Sequence, residues 1–227
     1  MYCVSTKGDG NMAVTCGDEA TVHANRAAFL SRFGIEEADV IVLHPEHKDL
    51  IVRVGKDKAG TAVNAEALMT NERGVALALP TADCFPVAFY DEKHEAIALA
   101  HCGWRPTGLR LAEKVMLKMT EAFGTNPKEV RIFIGPGIHP ESYLVEGAEQ
   151  AEDPAWAKYV QGEGGKTRVD VFTFLYDQLI DAGVPCSHID ADPVDTAMAD
   201  EYFSHYRSVR TGEPEGRFMT VLALESI

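Results

Sequence analysis

The sequence predicts an α+β fold, layered in the α/β manner, with mixed β-sheets and helices on the outside. Three observations carry this. Residues 75–79, 86–90 and 96–100 are nearly continuous apolar runs of strand length, the pattern of strands covered on both faces. Stretches with apolar residues at spacings of three and four alternate with the strands, so helices must pack against the sheets. No repeat and no linker rich in Pro, Gly or Ser divides the 227 residues, so a single domain over 1–227 is expected.

The elements follow in order. Thr21 to Phe33 places Val22, Ala27, Phe29, Leu30 and Phe33 near one helical face, and Gly34 stops it. Val40–Leu43 and Leu50–Val54 are short β-branched strands, the second ended by Gly55. The three central strands come next. Leu109 to Phe123 predicts a helix carrying Leu109, Ala112, Val115, Met116, Met119 and Phe123, closed by Gly124. Val130–Ile134 is a strand into Gly135-Pro136-Gly137, Asp170 to Ala182 a helix, and Phe218 to Leu224 a closing strand. Gly162-Glu163-Gly164-Gly165 reads as a polar loop; it does not join a strand to a helix, so it is no phosphate cradle.

Composition narrows the function. Hydrophobic residues are 46% and charged residues 25%, ordinary for a soluble globule with a substantial core. The charge sum is 21 − 35 = −14. Such a chain repels phosphate backbones and anionic membrane surfaces, so neither nucleic acid nor membrane is expected as partner. An anionic substrate would need a local cationic pocket. The acidic balance also suffices to keep a monomer in solution. The first ten residues lack a basic end and an apolar stretch, so no signal peptide is expected. Five irregularly spaced cysteines (3, 16, 84, 102, 186) fit a reduced, cytoplasmic protein better than a disulfide framework.

The chemistry-bearing residues sit at strand ends, where function collects on a rigid scaffold. Cys84 follows the 75–79 strand and His101 follows the 96–100 strand. Thiolate and imidazole together favour zinc. Two ligands are too few, and His44 and His47, between two strands, are the candidates for a third. Cys84 with His101 could also be a nucleophile and its base, as in cysteine hydrolases.

Thr81-Ala82-Asp83-Cys84-Phe85-Pro86-Val87 and His101-Cys102-Gly103-Trp104-Arg105 resemble the signature of the YfiH-like laccase-domain family. Its members have been called polyphenol oxidases, purine nucleoside phosphorylases and peptidoglycan editing factors. Weaker strings keep the family's order: Gly17-Asp18, Asn25-Arg26, Ala67 to Thr70, Ile134 to Ile138, Tyr143-Leu144-Val145, Phe203-Ser204 and Gly216-Arg217. The resemblance implies zinc on His47, Cys84 and His101, with His47 preferred over His44 because Ile51 and Val54 then match the family's strand. It also implies phosphorolysis of purine nucleosides, methylthioadenosine included, and deamination of adenosine. Copper is disfavoured, because the many closely spaced histidines of a multicopper enzyme are missing. A zinc-containing binding protein without turnover is the alternative from another class.

Around these ligands, Arg105 is the expected phosphate clamp, given the planar fit of guanidinium to phosphate; the alternative is a surface ion pair. Asp83 is either the orienter of a ligand histidine or a turn acid. Glu66, where the family has Asp, could carry a proton or hold ribose. Asn25 and Arg26 could reach substrate from the first helix. Trp104 could stack on a purine or belong to the core. Arg207 and Arg217 are further cations. The sequence departs from the family at Pro45-Glu46, Lys48, Cys102, Pro106, Gly137, Asp195 and Tyr206, all near the expected site rather than the core.

Overall fold

The computed structural model describes residues 1–224; residues 225–227, which close the expected domain, lie outside them. Strands β1 (Tyr2–Val4), β2 (Val40–His44), β3 (Ile51–Arg53), β4 (Ala62–Asn64), β5 (Ala67–Thr70), β6 (Ala76–Thr81), β7 (Phe85–Asp91), β8 (Ala96–Cys102), β9 (Arg131–Ile134), β10 (Leu144–Val145), β11 (Val160–Glu163), β12 (Lys166–Val169), β13 (Ile189–Ala191) and β14 (Phe218–Ala223) are joined by helices α1 (Glu19–Ser31), α2 (Trp104–Gly108), α3 (Leu111–Phe123), α4 (Val171–Asp181) and α5 (His205–Thr211). One sheet has the order β1-β14-β6-β2-β4, another β13-β9-β7-β8-β5-β3, and a small third β10-β12-β11. Parallel and antiparallel pairs mix in both large sheets.

Three apolar clusters stack the layers. Leu77 and Leu79 of β6, Leu68 of β5 and Ile97 and Leu99 of β8 meet between the two large sheets. Ala76 and Ala78, on the other face of β6, pack with Phe29 and Leu30 of α1. Ala98 and Ala100 of β8 and Val87 of β7 pack with Val115 of α3 and Leu175 of α4. The order is therefore helix, sheet, sheet, helices. Because neighbouring side chains alternate between faces, a strand in the middle of this stack must be apolar at every position, as the central runs are.

The predicted elements fall near where expected, with three differences. The first helix ends at Ser31, so Phe33 lies beyond it, and Ala27 and Phe33 are exposed rather than on its buried face. The expected helix over 109–123 is broken: α2 ends at Gly108, Arg110 takes φ 58, and α3 starts at Leu111. Leu109 is 44% exposed rather than on the buried face. After the break α3 packs back onto β8. The 162–165 stretch is the tip of a hairpin, with Glu163 paired to Lys166 and Gly164 and Gly165 at φ 58 and 82. Both turn residues need positive φ, which explains the Gly-Gly pair. Among the described residues no helix is long and apolar enough to cross a membrane.

Candidate functional site

The alternation that builds the core also builds the site. On β8, Ile97 and Leu99 face the opposite sheet, and two residues further His101 continues that face at the strand's end. On β5, Leu68 faces the same way, and Glu66 lies two residues before it. Ala67 pairs with Ala100, so Glu66 and His101 are cross-strand neighbours; the His101 amide donates to the Glu66 carbonyl at 2.8 Å. Their side chains meet as well, His101 Nδ1 donating to Glu66 Oε2 at 2.8 Å. Glu66 is fully buried and His101 is 4% exposed.

The second Glu66 oxygen, Oε1, accepts from the amides of Glu46 at 2.6 Å and Lys48 at 3.0 Å. Glu66 thus grips the loop that carries His47. That loop passes through φ 61 at His47, and the His47 and His101 rings stand edge to face with centroids 5.2 Å apart. Burial would raise the Glu66 carboxyl, but His101 and the two amides outweigh it and hold it below the usual carboxylate range. Burial also opposes charge on His101, yet Cys84 and Glu66 outweigh it and favour the imidazolium. His47 is lowered, first by burial and then by its cationic neighbours His101, Arg105 and Arg217.

Cys84 comes from the turn between β6 and β7. Its sulfur lies over Gly103, where an added Cβ would stand 2.7 Å from Sγ and 3.5 Å from His101 Cε1. Only glycine lets the thiol approach. Asp83 beside it takes φ 75, a left-handed position that Asp tolerates better than most residues. Among the described residues, two of the four non-glycine residues with positive φ, His47 and Asp83, are therefore at this site, a placement typical of functional strain.

Two cavities meet at these residues. One, of about 390 Å³, is walled by Ile138, Tyr143, Val145, Val171 and Tyr206, with Trp104, Arg105 and Arg210 also lining it. The other, of about 380 Å³, is lined by Arg26, His44, Thr15, Thr81 and Arg217. His47, Ala82, Cys84 and His205 line both. Cys84, His47 and His101 offer the thiol and imidazole donors that suit zinc. A carboxylate on the far nitrogen of a histidine, as Glu66 is on His101, is the usual support of a metal ligand, so the donor chemistry fits the group. Among the described residues no three His, Cys, Asp or Glu side chains are gathered tightly enough to hold a metal as they stand.

The structure redistributes the other expected roles. Asp83 orients no histidine: its carboxylate accepts from Thr196 Oγ1 at 2.8 Å and the Tyr206 amide at 2.6 Å, fixing the start of α5. Glu66 does the orienting instead, and it lines neither cavity, so it is a positioning residue rather than one that touches ribose. Arg105 pairs with Glu149 at 3.3 Å and covers one face of Trp104 at 4.0 Å, leaving that face closed to a purine. Trp104 also packs against the core beneath α2. Arg26 is buried and spends two nitrogens on the Met12 carbonyl. Asn25 holds the Asn11 carbonyl and lines neither cavity. Arg207 is taken up by Glu213 and the carbonyls of Thr196, Ala199 and Tyr202. His44 lines only the second cavity. Two of the departures, Gly137 and Asp195, face each other in an isolated parallel bridge.

Sequence reading missed His205, and it named Tyr143 only as part of a weak string with no role. Phe203-Ser204 pointed at the right segment, but the side chain that reaches both cavities is the next one. Ser204 caps α5 by accepting from the Arg207 amide at 3.0 Å, and His205 is its first residue.

Comparisons with known proteins bear on the family and the fold. The profile of the family described as multi-copper polyphenol oxidoreductase laccase matches residues 4–225. A purine nucleoside phosphorylase of Bacteroides thetaiotaomicron is 35% identical over 68% of this chain, a span that covers 59% of that protein. The purine nucleoside phosphorylase ORF3 of Streptomyces griseus is 30% identical over 92% of this chain and 86% of its own length. The crystal structure of YlmD from Geobacillus stearothermophilus superposes with a TM-score of 0.88 at 25% identity, covering 99% of this chain and 91% of that one. The order of motifs, the layered sheets and the matched profile lead to one conclusion: the chain belongs to the multi-copper polyphenol oxidoreductase laccase family, the laccase-domain family that its central motifs resemble.

Proposed function

We propose that the chain is a zinc-dependent purine nucleoside phosphorylase. The observation that carries this is the pair of cavities of nearly equal size meeting at one wall of His47, Cys84 and His205. Phosphorolysis needs two ligands, a nucleoside and a phosphate, held side by side so that a phosphate oxygen can reach C1′ of the ribose. The names of the relatives support the same reaction class. Zinc on His47, Cys84 and His101 would supply a Lewis acid at the shared wall.

The protein's own residues divide the remaining work. Ile138, Val145, Val171, Tyr143 and Tyr206 make the first cavity the apolar, aromatic one, suited to a purine and to excluding water. Arg217 and Arg26 line the second cavity and bring guanidinium groups to it, and it is the proposed phosphate side. This answers how a chain of net charge −14 could hold an anion. Arg105, the clamp expected from sequence, sits on the purine side over Trp104. Methylthioadenosine phosphorolysis and adenosine deamination are further activities proposed for the same site.

Incubating zinc-loaded protein with inosine and with adenosine, each with and without phosphate, tests the proposal. Free purine base only when phosphate is present is expected. Inosine formed from adenosine without phosphate would make it a deaminase, and no product in any mixture would favour a binding protein. One observation favours a second reading: Glu66, His101 and Cys84 line up as carboxylate, imidazole and thiol, the order of a cysteine hydrolase. Chelated protein that still hydrolyses amides or esters, and loses this on alkylation of Cys84, would support it.

A further inference from the structure

Phosphorolysis moves a proton as well as a sugar. Hydrogenphosphate enters with one proton and ribose 1-phosphate leaves without it. The purine departs from C1′ with the bonding electron pair and must gain a proton to leave as the neutral base. The carrier of that proton has to touch both ligands. Of the four residues common to both cavities, Ala82 carries no exchangeable side-chain proton, and His47 and Cys84 are the proposed metal donors. His205 is left.

Its surroundings suit the task. Asp83 holds the neighbouring Tyr206 amide at 2.6 Å, which fixes where α5 begins. His205 Nδ1 donates to Glu215 Oε1 at 2.6 Å, and the same oxygen accepts from Arg217 at 2.9 Å. Arg217 and His205 both keep the Glu215 carboxyl below its usual range, so it is the ionised partner. With Nδ1 committed to Glu215, Nε2 is the nitrogen left for the cavities. The side chain is 56% exposed, so nothing in the fold blocks ligands from reaching it.

We infer that His205, oriented by Glu215, is the proton carrier between the phosphate and purine cavities. This rests on the phosphorylase reading above. In the step, a phosphate oxygen forms its bond to C1′, and the C1′–N9 bond breaks with its electron pair going to the purine. Starting as the imidazolium, His205 passes its Nε2 proton to the purine at N7, and Nε2 then takes the proton that the hydrogenphosphate gives up, which restores the imidazolium. Atoms and charge balance with no further reactant.

The test compares inosine with 7-methylinosine, whose quaternised base leaves without needing a proton. His205→Gln should lower turnover of inosine about 100-fold, as loss of a general acid does, and turnover of 7-methylinosine by less than about 3-fold, a general acid being unnecessary there. The KM for phosphate should barely change. Glu215→Gln should show the same asymmetry at a smaller size, which guards against a folding defect in the first variant. Equal losses on both nucleosides, or undiminished inosine turnover, would overturn the assignment. Failure of the unmodified protein to cleave either nucleoside with phosphate would instead overturn the phosphorylase reading, and this proposal with it.

Discussion

Two carboxylate–imidazole pairs flank the same wall of the site, and they differ mainly in burial. Glu66 and His101 meet at 2.8 Å with side chains 0% and 5% exposed. Glu215 and His205 meet at 2.6 Å with side chains 42% and 56% exposed. The buried pair is locked by a sheet register and by two loop amides, which suits its histidine to the proposed role of a fixed zinc donor. In the open pair His205 begins a short helix that Asp83 fixes at its start and Glu215 lies beyond that helix, an exposure that suits the histidine to the proposed proton exchange. The same two functional groups thus acquire opposite uses from their surroundings, rigidity on one side and access on the other.

The largest effect should come from the thiol between the pairs. Cys84→Ala should abolish stoichiometric zinc binding, measured by elemental analysis, because two imidazoles alone make a poor site. Unchanged zinc content would refute the donor set. Glu66→Ala should follow. It leaves a buried imidazole without its anion and frees the loop of His47, costing about 3–5 kcal/mol in denaturant unfolding and about 10- to 100-fold in metal affinity. Gly103→Ala should cost about 1–3 kcal/mol through the clash of the new methyl with the Cys84 sulfur, with zinc affinity falling alongside; equal stability would mean the thiol has room to move. Glu215→Gln should be the mildest. A partly exposed ion pair contributes little to stability, so the melting temperature should hold while inosine turnover falls. A large loss of stability there would erase the contrast between the pairs.

The buried pair was half legible in the sequence and the open one was not. His101 and Cys84 stood out because they end apolar strands. Glu66 carried a readable signal too: it stands immediately before the apolar run Ala67–Met69, and a carboxylate at the edge of a buried strand has to find a partner. Its identity as the support of His101, in place of Asp83, depended on the β5–β8 register, which no local pattern specifies. His205 and Glu215 come together with Cys84 across more than a hundred residues, and neither spacing nor periodicity marks them. The layered fold was more legible, because apolar runs and helical spacing are local. Its one broken element, the helix over 109–123, turned on the left-handed Arg110, a residue without the usual preference for that conformation.

The central claim concerns what replaces the purine at C1′ of the ribose. Identifying the sugar product formed from inosine by zinc-loaded protein in phosphate buffer, by phosphorus and proton NMR, addresses it directly. Ribose 1-phosphate in amounts equal to hypoxanthine is the predicted result; free ribose, or inosine left intact, would contradict it.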